Sequence, residues 1–220
     1  MRATSHRLLA PTVGTGVLMA VYLLARPYGD AGSDFEVALA FASTAWVIAH
    51  VAGALALASV GRLGLRLADR SDSVSARVAR LSGLVGTVLV LPYYGVETFA
   101  LHVIGRRALT EPGLLALADE MRNHPVAMTM FGIGLVLISA AGVAIGIAAS
   151  RALPLRPAWS AWPLAIAIAL FPAQYFVAPA GRIGFGVVYA VAAAVFAVAV
   201  VRSGDAAPTE GARVPIAMRG

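Results

Sequence analysis

Residues 126–149 read VAMTMFGIGLVLISAAGVAIGIAA, a run of 24 without a charged side chain. As an α-helix, at about 1.5 Å per residue, it is about 36 Å long, enough to cross a hydrocarbon core of about 30 Å. A helix that is apolar all round belongs either in the centre of a large soluble core or in a membrane. The rest of the chain decides between these. Of 220 residues, 60% are hydrophobic and 13% charged, and the mean hydropathy is +0.82. Soluble domains carry about half apolar and about a quarter charged residues. One core of this size cannot hide so much apolar surface. The fold class is therefore all-α, a polytopic integral membrane protein.

Outward from this run, five more stretches are read as spans. They are Leu8–Leu24, Val37–Val60, Leu81–Ile104, Ala158–Ala178 and Ile183–Val201, with 126–149 as the fourth of six. The expectation is a six-transmembrane-helix bundle forming one domain over residues 1–201. A polar tail, 202–220, follows and is expected to be disordered. Arg2 and Arg7 before an apolar stretch resemble a signal peptide, but no small-x-small cleavage site precedes Arg26 and Pro27, so the stretch is read as a retained span.

All 17 basic residues are arginine. With the N-terminus inside, only Arg26, Arg106, Arg107, Arg122 and Arg182 fall outside, which leaves 12 of the 17 on the cytoplasmic side. The positive-inside rule thus predicts both termini in the cytoplasm. The net charge of +6 is accounted for by topology, and no nucleic-acid partner is expected. A chain rich in Ala, Val, Arg and Gly points to a GC-rich bacterial genome and hence to a bacterial plasma membrane. The absence of cysteine excludes a disulfide scaffold, thiol chemistry and Cys-ligated metals.

Two loops carry structure of their own. The Arg62–Arg80 loop is polar and basic, reads first as a solvated positive-inside loop and second as one that attracts anionic lipids, and holds a Ser71-Asp72-Ser73 cluster suited to cap the third span. Residues 110–123 read as a short interfacial helix between spans three and four. Leu114, Leu117, Ala118 and Met121 share its apolar face, while Asp119, Glu120 and Arg122 face water. Gly142 and Gly146 form a GxxxG pair, and Gly83 and Gly86 are close in sequence; such positions serve helix packing, including a homo-oligomer or a membrane-protein partner.

One carboxylate lies deep in a span. Glu97 sits in Leu91-Pro92-Tyr93-Tyr94-Gly95-Val96-Glu97-Thr98-Phe99-Ala100-Leu101-His102. Placing an acidic group there costs roughly 2.5–3.5 kcal/mol on insertion scales, so such residues face the bundle interior and find partners. Tyr93 and Tyr94, at i−4 and i−3, share its face, and Pro92 obstructs the regular helix. The fifth span repeats the theme with Pro172, Gln174 and Tyr175 at a matching depth. The expected site joins Glu97, a candidate acid or base, to ligand-binding Tyr93, Tyr94, Gln174 and Tyr175, with Arg182 at the mouth as counter-charge. His102 is a weaker catalytic candidate. Trp46 and His50, at i and i+4 on span two, are further ligand-binding candidates, with His50 in the cytoplasmic half.

His50 and His102 then lie too far apart in depth to share a haem. No metal motif, P-loop or dinucleotide fingerprint is present, and no cofactor or metal is expected. Three functional readings follow: binding or converting a lipid-like or isoprenoid small molecule around Glu97, proton-coupled transport through Glu97, or a non-catalytic part of a membrane complex.

Overall fold

The computed structural model describes residues 2–205, with side chains from 7 to 203. Every regular element among them is helical. In chain order they are α1 (Arg2–Ala25), α2 (Asp34–Ala42), α3 (Thr44–Ala68), α4 (Val74–Gly95), α5 (Leu101–Ala108), α6 (Leu115–Arg122), α7 (Pro125–Ala152), α8 (Trp162–Ala169) and α9 (Pro179–Asp205). A single π-turn, Val96–Ala100, joins α4 to α5. Five segments are long and apolar enough to cross a membrane: Arg7–Ala25, Thr44–Ala68, Val74–Ala108, Pro125–Ala152 and Pro179–Ser203. A shorter apolar helix, Ala158–Ala169, accompanies them. This is an all-α polytopic membrane protein.

The long helices and α8 form a ring in the order α1, α3, α4, α7, α8, α9 and back to α1. Their outer faces carry large exposed apolar side chains such as Val88, Val136 and Val188, as a lipid-facing surface requires. Glycines let the inner faces meet backbone to backbone. A Cβ at Gly134 would lie 2.9 Å from the Gly86 carbonyl, and one at Gly142 would lie 2.6 Å from the Ala169 amide. Gly142 and Gly146 thus pack against the segment holding α8, so this GxxxG face is used within the chain.

Three predicted spans change shape. The second does not run over 37–60: Ser43 is extended, and its side chain accepts a hydrogen bond from the Trp46 amide at 3.1 Å. That N-cap ends α2 and starts the span at Thr44. The third is a 35-residue segment capped by Ser73, whose hydroxyl accepts from the Ala76 amide. The fifth is not one helix over 158–178. Tight turns at Ala158–Ala161 and Phe171–Phe176 flank the eight residues of α8; Pro172 sits at the start of the second turn, where its missing N–H costs nothing. At the C-terminus α9 continues through Asp205, so the first residues of the expected tail are helical; the rest of that tail lies outside the described residues.

Candidate functional site: a charged, aromatic cavity at one end of the bundle

The site lies where α1 ends, α3 begins and α4 gives way to α5. There α2, α5 and α6 pack together as a cap over Phe41, Trp46, Leu101 and Ala118. Pro92 lies in the last turn of α4, and the π-turn follows it directly. The Leu101 amide bonds back to the Val96 carbonyl, five residues away. One extra residue in a turn rotates the following side chains by about 100°. Glu97 sits in this turn and points inward, 5% exposed, the one fully buried carboxylate among the described residues.

Glu97 is paired. Arg122 Nε donates to its Oε1 at 2.7 Å and Arg122 Nη2 to its Oε2 at 3.4 Å. Arg122 Nη2 also reaches Asp30 at 3.4 Å, and Asp30 holds Arg26 at 2.6 Å. Two cations and two anions therefore interlock. Burial works against the Arg122 charge, yet Glu97 beside it raises the guanidinium pKa above its ordinary value. The Arg26 guanidinium lies over the rings of Trp46 and Tyr28. Its Nε–H is buried and has no hydrogen-bond partner.

His50 completes the polar wall. Its Nδ1 is 2.8 Å from the Trp46 carbonyl, which can only accept, so Nδ1 carries a proton. Its Nε2 faces Glu97 Oε2 at 3.7 Å, beyond hydrogen-bond reach. Rings fill the remaining sides. Tyr22 meets His50 and Tyr94 edge-on, Tyr93 stacks on Phe131 at 4.3 Å, and the Tyr94 and Tyr175 hydroxyls are 3.4 Å apart. Together these residues enclose a cavity of about 80 Å³.

Of the residues expected from sequence, Glu97, Tyr93, Tyr94, Tyr175 and His50 meet on this cavity. Trp46 lies just behind it, and its indole donates to the Glu97 backbone carbonyl. Three expected members lie elsewhere. His102 bonds the Phe41 carbonyl at 2.9 Å and does not line the cavity. Gln174 is buried with its amide unpaired, away from the lining. Arg182 donates to the carbonyls of Val177 and Tyr175 and supplies no counter-charge to Glu97. Arg122 takes that role, although it was expected to face water.

His50 also moves. Starting the span at Thr44 places it in the first two turns, level with Glu97, and not in the far half of the membrane.

The residues missed from sequence are Tyr22, Arg26, Asp30, Arg122 and Phe131. Their signals are visible in spacing. Tyr22, in the last turn of α1, is followed at four-residue spacing by Arg26 and Asp30 in the segment after it, and Arg122 follows the inward Leu115 and Ala118 at helical spacing. No protein-family model, curated protein or solved structure matches this chain.

Proposed function

We propose that this chain is a multi-pass protein of a bacterial plasma membrane, with both termini cytoplasmic, that holds the hydroxyl-bearing end of a lipid-like or isoprenoid small molecule at the cavity around Glu97. One observation carries the reading. Two acceptors, His50 Nε2 and Glu97 Oε2, stand 3.7 Å apart on a cavity that Arg26 also lines. One O–H can donate to one of the two acceptors, and its oxygen can accept from the Arg26 guanidinium that lines the same cavity. At about 80 Å³ the cavity takes a polar end group and no more, since pockets that enclose a whole small molecule run to about 300–1,000 Å³. The hydrocarbon part would stay in the bilayer. Glu97 would then give or take the hydroxyl proton, the chemistry of a general acid or base, with His50 beside it.

The orientation draws support from the same geometry. Of the five arginines assigned to the outside, Arg26, Arg122 and Arg182 are engaged in bonds within the protein, leaving Arg106 and Arg107 exposed. At the other end Arg62, Arg77, Arg80, Arg151, Arg156 and Arg202 are all exposed. The positive-inside contrast is therefore sharper than a plain count gives.

The test is an organic extract of the purified protein, analysed by mass spectrometry. One hydroxyl-bearing amphiphile per chain is expected in the parent, and its loss in Glu97→Gln at unchanged fold. No such compound in the parent, or equal retention in Glu97→Gln, rejects the reading. A second reading rests on the same 3.7 Å pair, which must close to hydrogen-bond reach before a proton can pass between Glu97 and His50. It makes the chain a small proton-coupled transporter, and predicts pH-dependent flux in proteoliposomes that Glu97→Gln abolishes.

A further inference from the structure

A second concavity lies at the opposite end of the bundle, against α9. Its wall is Val191, Ala194, Val195 and Val198, and its volume is about 420 Å³. From Val191 to Arg202 it follows α9 for about 16 Å at the helical rise. Two arginines on different segments line its charged end: Arg156, in the link between α7 and α8, and Arg202, in the last turn described for α9. Ser203 fixes the rim by reaching the Pro154 carbonyl at 2.9 Å. Trp159 stands beside the arginines, 60% exposed, as aromatic side chains do at a membrane–water interface. Ser160 also lines the groove; it is 1% exposed and its hydroxyl has no partner.

These features have one chemistry in common. An apolar trough open to lipid takes a hydrocarbon chain. Two exposed guanidinium groups at its end take an anion, and a buried unpaired hydroxyl near them is a donor for a carbonyl or phosphate oxygen. Arginine suits phosphate because its planar fork donates two parallel hydrogen bonds. We infer that the groove between α9 and the Ala158–Ala161 turn is a binding site for one anionic phospholipid, its acyl chain along Val191–Val198, its phosphate between Arg156 and Arg202, and an ester or phosphate oxygen on Ser160. Charge complementarity selects this occupant over a zwitterionic lipid, because no acidic side chain among the described residues lines the groove. The inference is independent of the cavity around Glu97, which lies at the other end of the helices.

Trp159 provides the readout. The chain has three tryptophans. Trp162 is replaced by Phe so that Trp159 is the one near the groove, and Trp46 is buried at the far end. Bilayer nanodiscs are prepared with increasing fractions of chain-brominated phosphatidylglycerol or chain-brominated phosphatidylcholine. Half-maximal quenching of Trp159 is expected at a several-fold lower mole fraction of the anionic lipid. Arg156→Gln with Arg202→Gln is expected to bring the two curves together. Arg77→Gln with Arg80→Gln, which removes the same charge from the same end, is expected to leave them apart. Equal curves for the two lipids in the parent overturn the site. So does a preference that survives loss of Arg156 and Arg202, or one that falls equally with Arg77 and Arg80.

Discussion

The two ends of this bundle treat charge in opposite ways. At the Glu97 end, Arg26, Asp30, Glu97 and Arg122 come from the close of α1, the loop after it, the π-turn and α6, and turn inward on one another. Helices are interrupted there, at Ser43, after Gly95 and at Phe171. At the other end Arg62, Arg77, Arg80, Arg151, Arg156 and Arg202 project outward, and α3 and α4 meet on small residues such as Gly61 against Gly83. An interlocked charge network contributes little net stability, because desolvation offsets most of the attraction. Apolar packing would have held that end together more simply. The contrast places the candidate acid–base site at the networked end, away from the glycine contacts between α3 and α4.

The largest effect that would break this contrast is at Arg122. Arg122→Met leaves the Glu97 carboxylate buried and unpaired, and stability should fall by about 3–5 kcal/mol. Combining it with Glu97→Gln should restore most of that loss. Denaturant-dependent unfolding in micelles measures both. If the single variant unfolds like the parent, the network is not what holds Glu97.

Next is the packing of the scaffold. Gly86→Val drives a side chain into the Gly134 carbonyl, which a Cβ would already approach to 2.9 Å. A loss of at least about 1–3 kcal/mol is expected. Gly132, on the same partner helix, has nothing within 4 Å of an added Cβ. Gly132→Ala should stabilise slightly, by roughly 0.5–1 kcal/mol, because alanine is the better helix former. A thermal shift of the same sign for both would contradict the packing described.

A smaller effect sharpens the boundary that places His50. Ser43→Ala removes the cap on α3 and should cost about 1 kcal/mol. Hydrogen exchange should rise at the Trp46 amide and leave the middle of α3 unchanged. The smallest effect is at the lipid-facing surface: Val136→Leu should change the melting temperature by no more than the equivalent of about 0.5 kcal/mol.

Much of this was legible in the sequence. The apolar runs disclose the membrane helices because lipid requires backbone groups to bond within the helix. Glu97 with Tyr93, Tyr94 and Tyr175 could be read because a carboxylate among aromatics is conspicuous in an apolar run. Partners outside the runs were harder. Arg122 ends a short helix beside Asp119 and Glu120, where charge normally means water, and its inward turn depends on how α6 docks onto the π-turn. Arg26 sits beside Pro27 at a span end, where an arginine is ordinarily a topology signal. His50 was displaced because hydropathy does not notice a single serine. Ala42 and Thr44 carry the apolar reading past Ser43, yet its cap moves the start of the span from Val37 to Thr44. Loop docking and capping are tertiary or single-residue events, and a running average erases both.

What meets His50 Nε2 and Glu97 Oε2 decides whether Glu97 handles a ligand. An experimental map of the protein, purified with its native lipids, tests this most directly. Density for a hydroxyl within about 3 Å of His50 Nε2 or Glu97 Oε2, continuous with a hydrocarbon tail leading to the bilayer, is the result expected. A collapsed cavity, with Nε2 bonded directly to Oε2 and the Arg26 Nε–H satisfied by the protein, would contradict the account and leave Glu97 as a structural tie.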